Sequence, residues 1–331
     1  MSPLNGWNAL SQGERADLFA AASQSTGRTE NILEKDLWVV AVLESLFTSS
    51  FAEKITFSGG TSLSKCHNLI DRFSEDIDLV WDVTDLIPGG MQGKSRSAIK
   101  NAREYQIPPA LIERLSTLVV SQIQNTLPEV RIEIESTARA AAAVIKFPSV
   151  VSPTGGPFSS VKVELFGMGI NQPSNRMQVH TYLVDYETQM ELPVINVSAL
   201  DPKVIFWQKM TIIQRSNLGS LVDWKLARHW SDIRDLHNSL GLGQLLDEPM
   251  VTAIIERAAM LQNRVGVNYH QINGGGLLLI PKDPDIRQAL VSGLRRTISN
   301  GYYPHDLDID QLIKDCELIE KLINEHFSTP L

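Results

Sequence analysis

Two aspartates one residue apart, Asp76 and Asp78 in RFSEDIDLVW, are the residues whose type and spacing point most directly to chemistry. On a strand, residues i and i+2 project from one face, so both carboxylates aim at one spot while Ile77 and Leu79 turn to a core. Such a pair repels itself unless a proton or cation sits between them. Magnesium suits it, taking hard oxygen ligands and leaving positions for water and phosphate. Upstream lies FSGGTSLSK, residues 57–65, where a strand gives way to a helix. Gly59 and Gly60 let backbone N–H groups approach a phosphate, and a helix N-terminus favours negative charge. Thr61, Ser62 and Ser64 add hydroxyls, and Lys65 and Arg72 supply cations able to meet a triphosphate. A Gly-Gly turn alone is usually only a turn, and Asp-x-Asp alone is usually a solvated strand edge. Their order along the chain is what carries specificity.

The elements that must position these residues follow from periodicity. Helices are expected at 10–23 and 29–48, the second with Leu33, Leu37, Val40, Leu43 and Phe47 forming one apolar stripe. Thr26 or Thr29 is available to cap its start. Strands are expected at 54–57 and 76–81, and the glycines and proline of 82–93 mark a loop. A long helix is expected over 95–126, then strands at 130–136, 142–147, 161–166 and 192–197. From Asp201 helical patterns take over, at 201–215, 223–238, 249–262, 284–299 and 308–326. The fold class is therefore α+β, a small mixed sheet flanked by helices over 1–200 followed by an all-helical domain over 201–331.

Bulk properties narrow the function. With 43% hydrophobic and 21% charged residues the chain is of the ordinary globular kind, and 331 residues favour two domains. Two distant cysteines, Cys66 and Cys316, make neither a disulfide framework nor a metal spacing. No secretory signal and no run of about 20 apolar residues is visible, so a cytoplasmic protein without membrane contact is expected. A net charge of −8 disfavours a protein that coats nucleic acid, while permitting a local basic patch.

Taken together, GGTSLSK, RFSEDIDL, the upstream EKDLWVVAVL and two later segments resemble the DNA polymerase β-type nucleotidyltransferase superfamily, more narrowly the AbiEii/AbiGii toxins of bacterial abortive-infection and toxin–antitoxin systems. The resemblance spans roughly residues 30–240; residues 240–331 carry no motif that can be named. It implies a polymerase β-like nucleotidyltransferase domain and a third carboxylate on a neighbouring strand. Alternation alone leaves Glu133, Glu135 and Glu164 equal; the resemblance favours Glu164, in VKVELFGMG. It further implies that Asp76, Asp78 and Glu164 hold magnesium, two ions in all, and that a nucleoside triphosphate is the donor. Gly59, Gly60, Thr61, Ser62, Lys65, Arg72, Lys209 and Arg228 would then contact the nucleotide.

Lys209 sits in DPKVIFWQKMTIIQR, where Phe206, Met210 and Ile213 line one apolar side and leave the lysine at its margin. An ordinary lysine there snorkels to the surface; the resemblance makes it a ligand of the triphosphate. In ARHWSDIRDL, Arg228 and Asp232 share a helix face. Ordinarily they would form an intrahelical ion pair; the functional alternative has Asp232 orienting Lys209 or Arg228. His229 reads as a packed core histidine beside Trp230. The histidine that many relatives carry shortly after the lysine helix is replaced here by IIQR.

The expected activity is metal-dependent transfer of a nucleoside monophosphate to an acceptor, with transfer RNA implied by the resemblance, and with a cognate antitoxin as partner. Arg96, Lys100 and Arg103 fall on one helix face as a candidate RNA contact. Two rivals share the motif: a small-molecule nucleotidyltransferase of the antibiotic-modifying kind, and a non-catalytic nucleotide binder. A Rossmann or P-loop enzyme lacks both G-x-G-x-x-G after a strand and a GKS or GKT ending.

Overall fold

The computed structural model describes residues 4–87, 89–91, 93–136, 141–152, 158–186, 192, 194–219, 224–262, 267–303 and 306–328. The chain divides into two units, Met1–Cys66 with Ser74–Leu200, and His67–Phe73 with Asp201–Leu331. The seven residues 67–73 thus leave the first unit between the glycine bend and the paired aspartates, which accounts for the length of that interval.

The first unit is built on a mixed seven-stranded sheet in the order β3-β4-β5-β2-β1-β7-β6. Its strands are β1 Ile55–Ser58, β2 Asp76–Trp81, β3 Arg131–Ser136, β4 Ala141–Lys146, β5 Ser160–Phe166, β6 Ser174–His180 and β7 Val194–Leu200. At its centre β2 runs antiparallel to β1 and parallel to β5. Ile77, Leu79, Val161, Val163, Leu165 and Ala143 are fully buried, the apolar half of each alternation. This α+β architecture is the expected class, with a larger sheet than the expected strands would make. β6 escapes periodicity because SNRMQVH is mostly polar and half exposed, as an edge strand can be. β7 continues three residues beyond the expected 192–197 strand; residue 193 lies outside the described residues. Inside the expected loop 82–93, Val83–Leu86 forms a helical turn whose start Asp82 caps by accepting from the Thr84 N–H; residues 88 and 92 of that loop are outside the described ones.

Helix α1, Gln12–Thr26, starts with Ser11 and Glu14 in a reciprocal capping box. Helix α2, Glu30–Phe47, begins at Thr29, whose side chain makes no capping bond. The expected single apolar stripe of α2 is a poor description of its surroundings. Fourteen of its residues are buried, among them the consecutive charges Glu34, Lys35 and Asp36. It packs against α1, β2, β5, β7 and the helical turn Val120–Thr126, which leaves almost no face for solvent. Helix α3, Gly59–Lys65, follows β1 directly. The long helix, α4, runs over 96–126 and passes through Pro108 and Pro109 by widening at Ala102–Gln106 into π-helical turns. A proline supplies no N–H, and the wider turn accommodates the carbonyls left over.

In the second unit, among the described residues, regular structure is helical: α5 Pro202–Gly219, α6 Arg228–Leu240, α7 Glu248–Gln262, α8 Pro284–Ser299 and α9 Ile309–Ser328, with shorter turns between. Residue 223, inside the expected 223–238 helix, is outside the described residues. An extended stretch, Leu277–Ile280, is held by side chains instead of a sheet. Asn324 accepts from the Leu277 N–H, Gln214 from Leu278, and Glu320 from Leu279 and Ile280. Trp230 and Asn217 donate to the Leu279 carbonyl. Buried backbone groups are thereby satisfied without a partner strand.

Each charge of the α2 triplet takes its own partner. Glu34 accepts from the Ser149 hydroxyl at 2.5 Å and the Val150 N–H at 2.6 Å. Lys35 pairs with Glu75 at 2.5 Å, both side chains at most 6% exposed. Replacing Lys35 by Met leaves the Glu75 carboxylate buried without that ammonium, at a cost of about 3 kcal/mol. Urea unfolding checks this, and Lys35→Met/Glu75→Leu recovers most of the loss.

Candidate active site

The glycine bend and the paired aspartates meet in the first unit. Gly59 ends β1 with φ +74, a backbone conformation that side chains resist. A Cβ there would lie 1.9 Å from Asp78 Oδ2, so the Asp78 carboxylate rests against bare main chain. Ser58 is the register partner of Asp78 across β1 and β2. Thr61 ties the two elements from the other end, its hydroxyl donating to the Asp76 carbonyl at 2.5 Å and lying in hydrogen-bond contact with Ser74 Oγ at 3.0 Å.

The hydroxyls of Thr61 and Ser64 therefore serve the fold. Ser64 donates to the Thr61 carbonyl, and Ser62 is fully buried. Lys65 pairs with Asp36 of α2 at 2.6 Å and lies 3.6 Å from the Tyr182 ring centroid, while Asp36 also accepts from the Tyr182 N–H. Toward Asp78 the bend presents bare main chain at Gly59.

Asp76 and Asp78 share a face of β2, since strand residues two apart do. The parallel register sets Asp76 beside Lys162 and Asp78 beside Glu164, which brings the third carboxylate favoured by the resemblance to the same face. Glu135 reaches that face through Ala142, and Glu133 through Val144. Glu164 accepts from Lys162 at 2.6 Å, and Glu135 lies 3.7 Å from the same ammonium. Partial burial would lower the Lys162 pKa, but Glu164, Glu135 and Asp76 outweigh it and raise it. Glu133 pairs with exposed Lys146 at 2.5 Å.

A divalent cation fits the donor chemistry of this face, which offers carboxylate oxygens and no sulfur or imidazole. Among the described residues no three His, Cys, Asp or Glu side chains are gathered as a metal shell, Glu164 being turned onto Lys162.

The second unit holds a separate cluster on Asp232. Arg72 grips this carboxylate with two hydrogen bonds, Nε to Oδ1 at 2.6 Å and Nη2 to Oδ2 at 2.8 Å. Lys209 adds an ion pair to Oδ2 at 2.8 Å, and it also donates to His229 Nδ1 at 3.1 Å. Asp232 is fully buried, and Arg72 and Lys209 are 3% and 4% exposed. Burial would raise the Asp232 pKa, but Arg72 and Lys209 hold it well below the usual carboxylate range. His229 is lowered to about 4, first by burial and then by the Lys209 charge. Lys209 is thus a core residue on α5 and not the snorkelling margin residue that the helical pattern suggests.

Arg228 departs from the expected pairing with Asp232. Its Nε donates to the Lys225 carbonyl, and its guanidinium lies 5.1 Å from the Tyr302 ring centroid. Of the expected RNA-contact face, Lys100 is exposed and Arg103 pairs with Glu104 at 3.0 Å; the side chain of Arg96 is outside the described ones. Periodicity overlooks Lys162, although it sits two residues before Glu164 and so shares its face. It overlooks Lys35, Asp36 and Glu75 as partners, although a run of three charges inside an otherwise apolar helix is a signal for them. Nothing local announces that Arg72 meets Asp232.

A strand with paired aspartates lying against a side-chain-free bend is the arrangement of a phosphoryl-transfer enzyme of the nucleotidyltransferase class. The family model described as nucleotidyl transferase AbiEii toxin, type IV toxin–antitoxin system, matches residues 41–314. The chain belongs to that family and is a nucleotidyltransferase. Among solved structures, it is similar to MenT4, a nucleotidyltransferase toxin from Mycobacterium tuberculosis H37Rv, at 16% identity over 94% of this chain and 97% of that one. The TM-score is 0.44. No curated protein matches the sequence. Among the described residues, no helix is long and apolar enough to cross a membrane.

Two outcomes follow from this geometry. Gly59→Ala must displace Asp78 and strain the bend, lowering stability by about 1–3 kcal/mol and abolishing nucleotide transfer; an unfolding midpoint equal to wild type would contradict it. The second concerns acid. With a folded pKa of about 4 against 6.5, His229 refuses a proton that the unfolded chain accepts. Its contribution is complete above pH 6.5 and is lost as the pH falls toward 4. Wild type should therefore lose on the order of 3 kcal/mol more than His229→Asn across that window, as measured by urea unfolding at a series of pH values.

Proposed function

We propose that this nucleotidyltransferase toxin moves a nucleoside monophosphate from a nucleoside triphosphate to an RNA acceptor of the transfer RNA kind, with magnesium bound at Asp76 and Asp78. The observation that carries the reading is the contact of Asp78 with Gly59. It sets a paired-carboxylate strand beside main chain that has no side chain to obstruct a phosphate. Glu164, now paired with Lys162, would be the third residue to hold the metal.

When bound, the divalent ions, two in the full assembly, would polarise the α-phosphate and offset charge on the departing pyrophosphate. The chain's own contribution is position and fixed charge. Asp76 and Asp78 are held by the sheet register, so little reorganisation is required when charge shifts in the reaction. Gly59 and Gly60 offer main-chain N–H groups to the triphosphate, close to the Thr61 and Ser62 turn that anchors them. Glu164 is the simplest acceptor for the proton of the attacking hydroxyl. Lys209, paired with Asp232, is the cation that the resemblance assigns to the triphosphate, and Arg72 fixes Asp232. Lys65 and Arg228 act at one remove, Lys65 by tying α3 to α2. The membership of a type IV toxin–antitoxin family implies a cognate antitoxin, and the setting we assign is the cytoplasm.

The test is incubation with each α-labelled triphosphate, magnesium and total RNA, followed by identification of the labelled molecule. Asp76→Ala and Asp78→Ala should each lower labelling by at least about a thousandfold while leaving the fold intact. Turnover retained in either variant removes the metal assignment; label on a small molecule or protein, with RNA unlabelled, removes the RNA acceptor.

A further inference from the structure

We propose that His229 is a positioning residue for Lys209, acting as a hydrogen-bond acceptor that fixes the direction of the ammonium group. The proposal rests on the role of Lys209 stated above, and its geometry stands independently. Lys209 Nζ lies 2.8 Å from Asp232 Oδ2 and 3.1 Å from His229 Nδ1. An ammonium can only donate, so Nδ1 accepts and the imidazole is the tautomer with its proton on Nε2.

A carboxylate alone would attract the lysine without fixing its torsions. Asp232 is moreover shared, because Arg72 already takes both of its oxygens. A second acceptor at a fixed angle resolves the ambiguity, because contacts in two directions fix the rotation of the ammonium group. The imidazole suits this task because it adds an acceptor without adding negative charge. A carboxylate at 229 would neutralise the lysine twice over.

The titratable groups facing the imidazole are Lys209 from α5, Asp232 on its own helix, and Arg72 from the 67–73 segment. The direct contact is to a cation, while the Asp232 carboxylate oxygen stays at 3.9 Å, beyond hydrogen-bond reach. The surroundings thus keep the acceptor nitrogen unprotonated throughout the neutral range. The ring is 19% exposed, which leaves Nε2–H its own donor capacity.

The test uses the full chain labelled with nitrogen-15 at histidine. The His229 signal should report the Nε2–H tautomer and stay unchanged between about pH 5.5 and 8. In Lys209→Met the same ring should titrate at higher pH, since a repelling cation is gone. An Nδ1–H tautomer, or a titration indifferent to Lys209, overturns the proposal whatever the activity. Transfer from the four α-labelled triphosphates to total RNA supplies the functional arm. His229→Ala should lower kcat by at least about tenfold. His229→Asn, whose amide oxygen replaces Nδ1, should stay within about threefold of wild type. Equal activity in all three proteins overturns the proposal. So does equal impairment of the Asn and Ala variants. Wild-type transfer by Lys209→Met would instead remove the role of Lys209, while the tautomer measurement still judged the contact.

Discussion

A charge withdrawn from water needs an opposite charge or several hydrogen bonds, and this requirement organises both units of the protein. In the first, three consecutive charges on the central helix α2 are buried together, and each fixes a different piece of chain. Glu34 holds the 149–150 turn, Lys35 holds Glu75 at the entrance to β2, and Asp36 holds Lys65 at the end of α3 and the backbone of Tyr182. The elements carrying the glycine bend and the paired aspartates are therefore referred to one rigid helix. In the second, a single carboxylate, Asp232, orders Arg72 and Lys209, and the lysine in turn orders His229.

These pairs contribute specificity of arrangement more than net stability, because desolvation offsets much of the attraction between buried ions. Their value to a phosphoryl-transfer enzyme is preorganisation. Groups that must meet a highly charged substrate are held in advance by neighbours that do not react. Lys65 and Arg72 illustrate the point: as cations near the bend in sequence they suggest phosphate ligands, yet each is engaged by a buried carboxylate. Lys65 ties α3 to α2 in the first unit, and Arg72 fixes Asp232 in the second.

The Asp78–Gly59 contact is the complementary constraint, one of space instead of charge. A carboxylate can rest on main chain only where no Cβ intervenes, and a positive φ at that point is tolerable only for glycine. Lys162 gives the same face a resident cation, which pairs with Glu164 and lies near Glu135.

Much of this was legible in the chain by itself. Alternation in DIDLVW and VKVELF set the carboxylates on one face and the apolar residues on the other, because strand side chains alternate whatever they pack against. The GGTS bend announced itself through glycine, whose conformational freedom is a local property. The helices expected from apolar spacing at 201–215, 284–299 and 308–326 are found at 202–219, 284–299 and 309–328. Only the tertiary structure decided which distant charges meet. Strand β6 has no apolar rhythm because its edge position requires none. The burial of Glu34, Lys35, Asp36 and Lys209 depends on neighbours far along the chain, and a helical pattern describes only one helix. Arg72 and Asp232 lie 160 residues apart, and their pairing arises because a seven-residue excursion before β2 joins the helical unit. Local spacing determines the face a side chain occupies; long-range packing determines what it finds there.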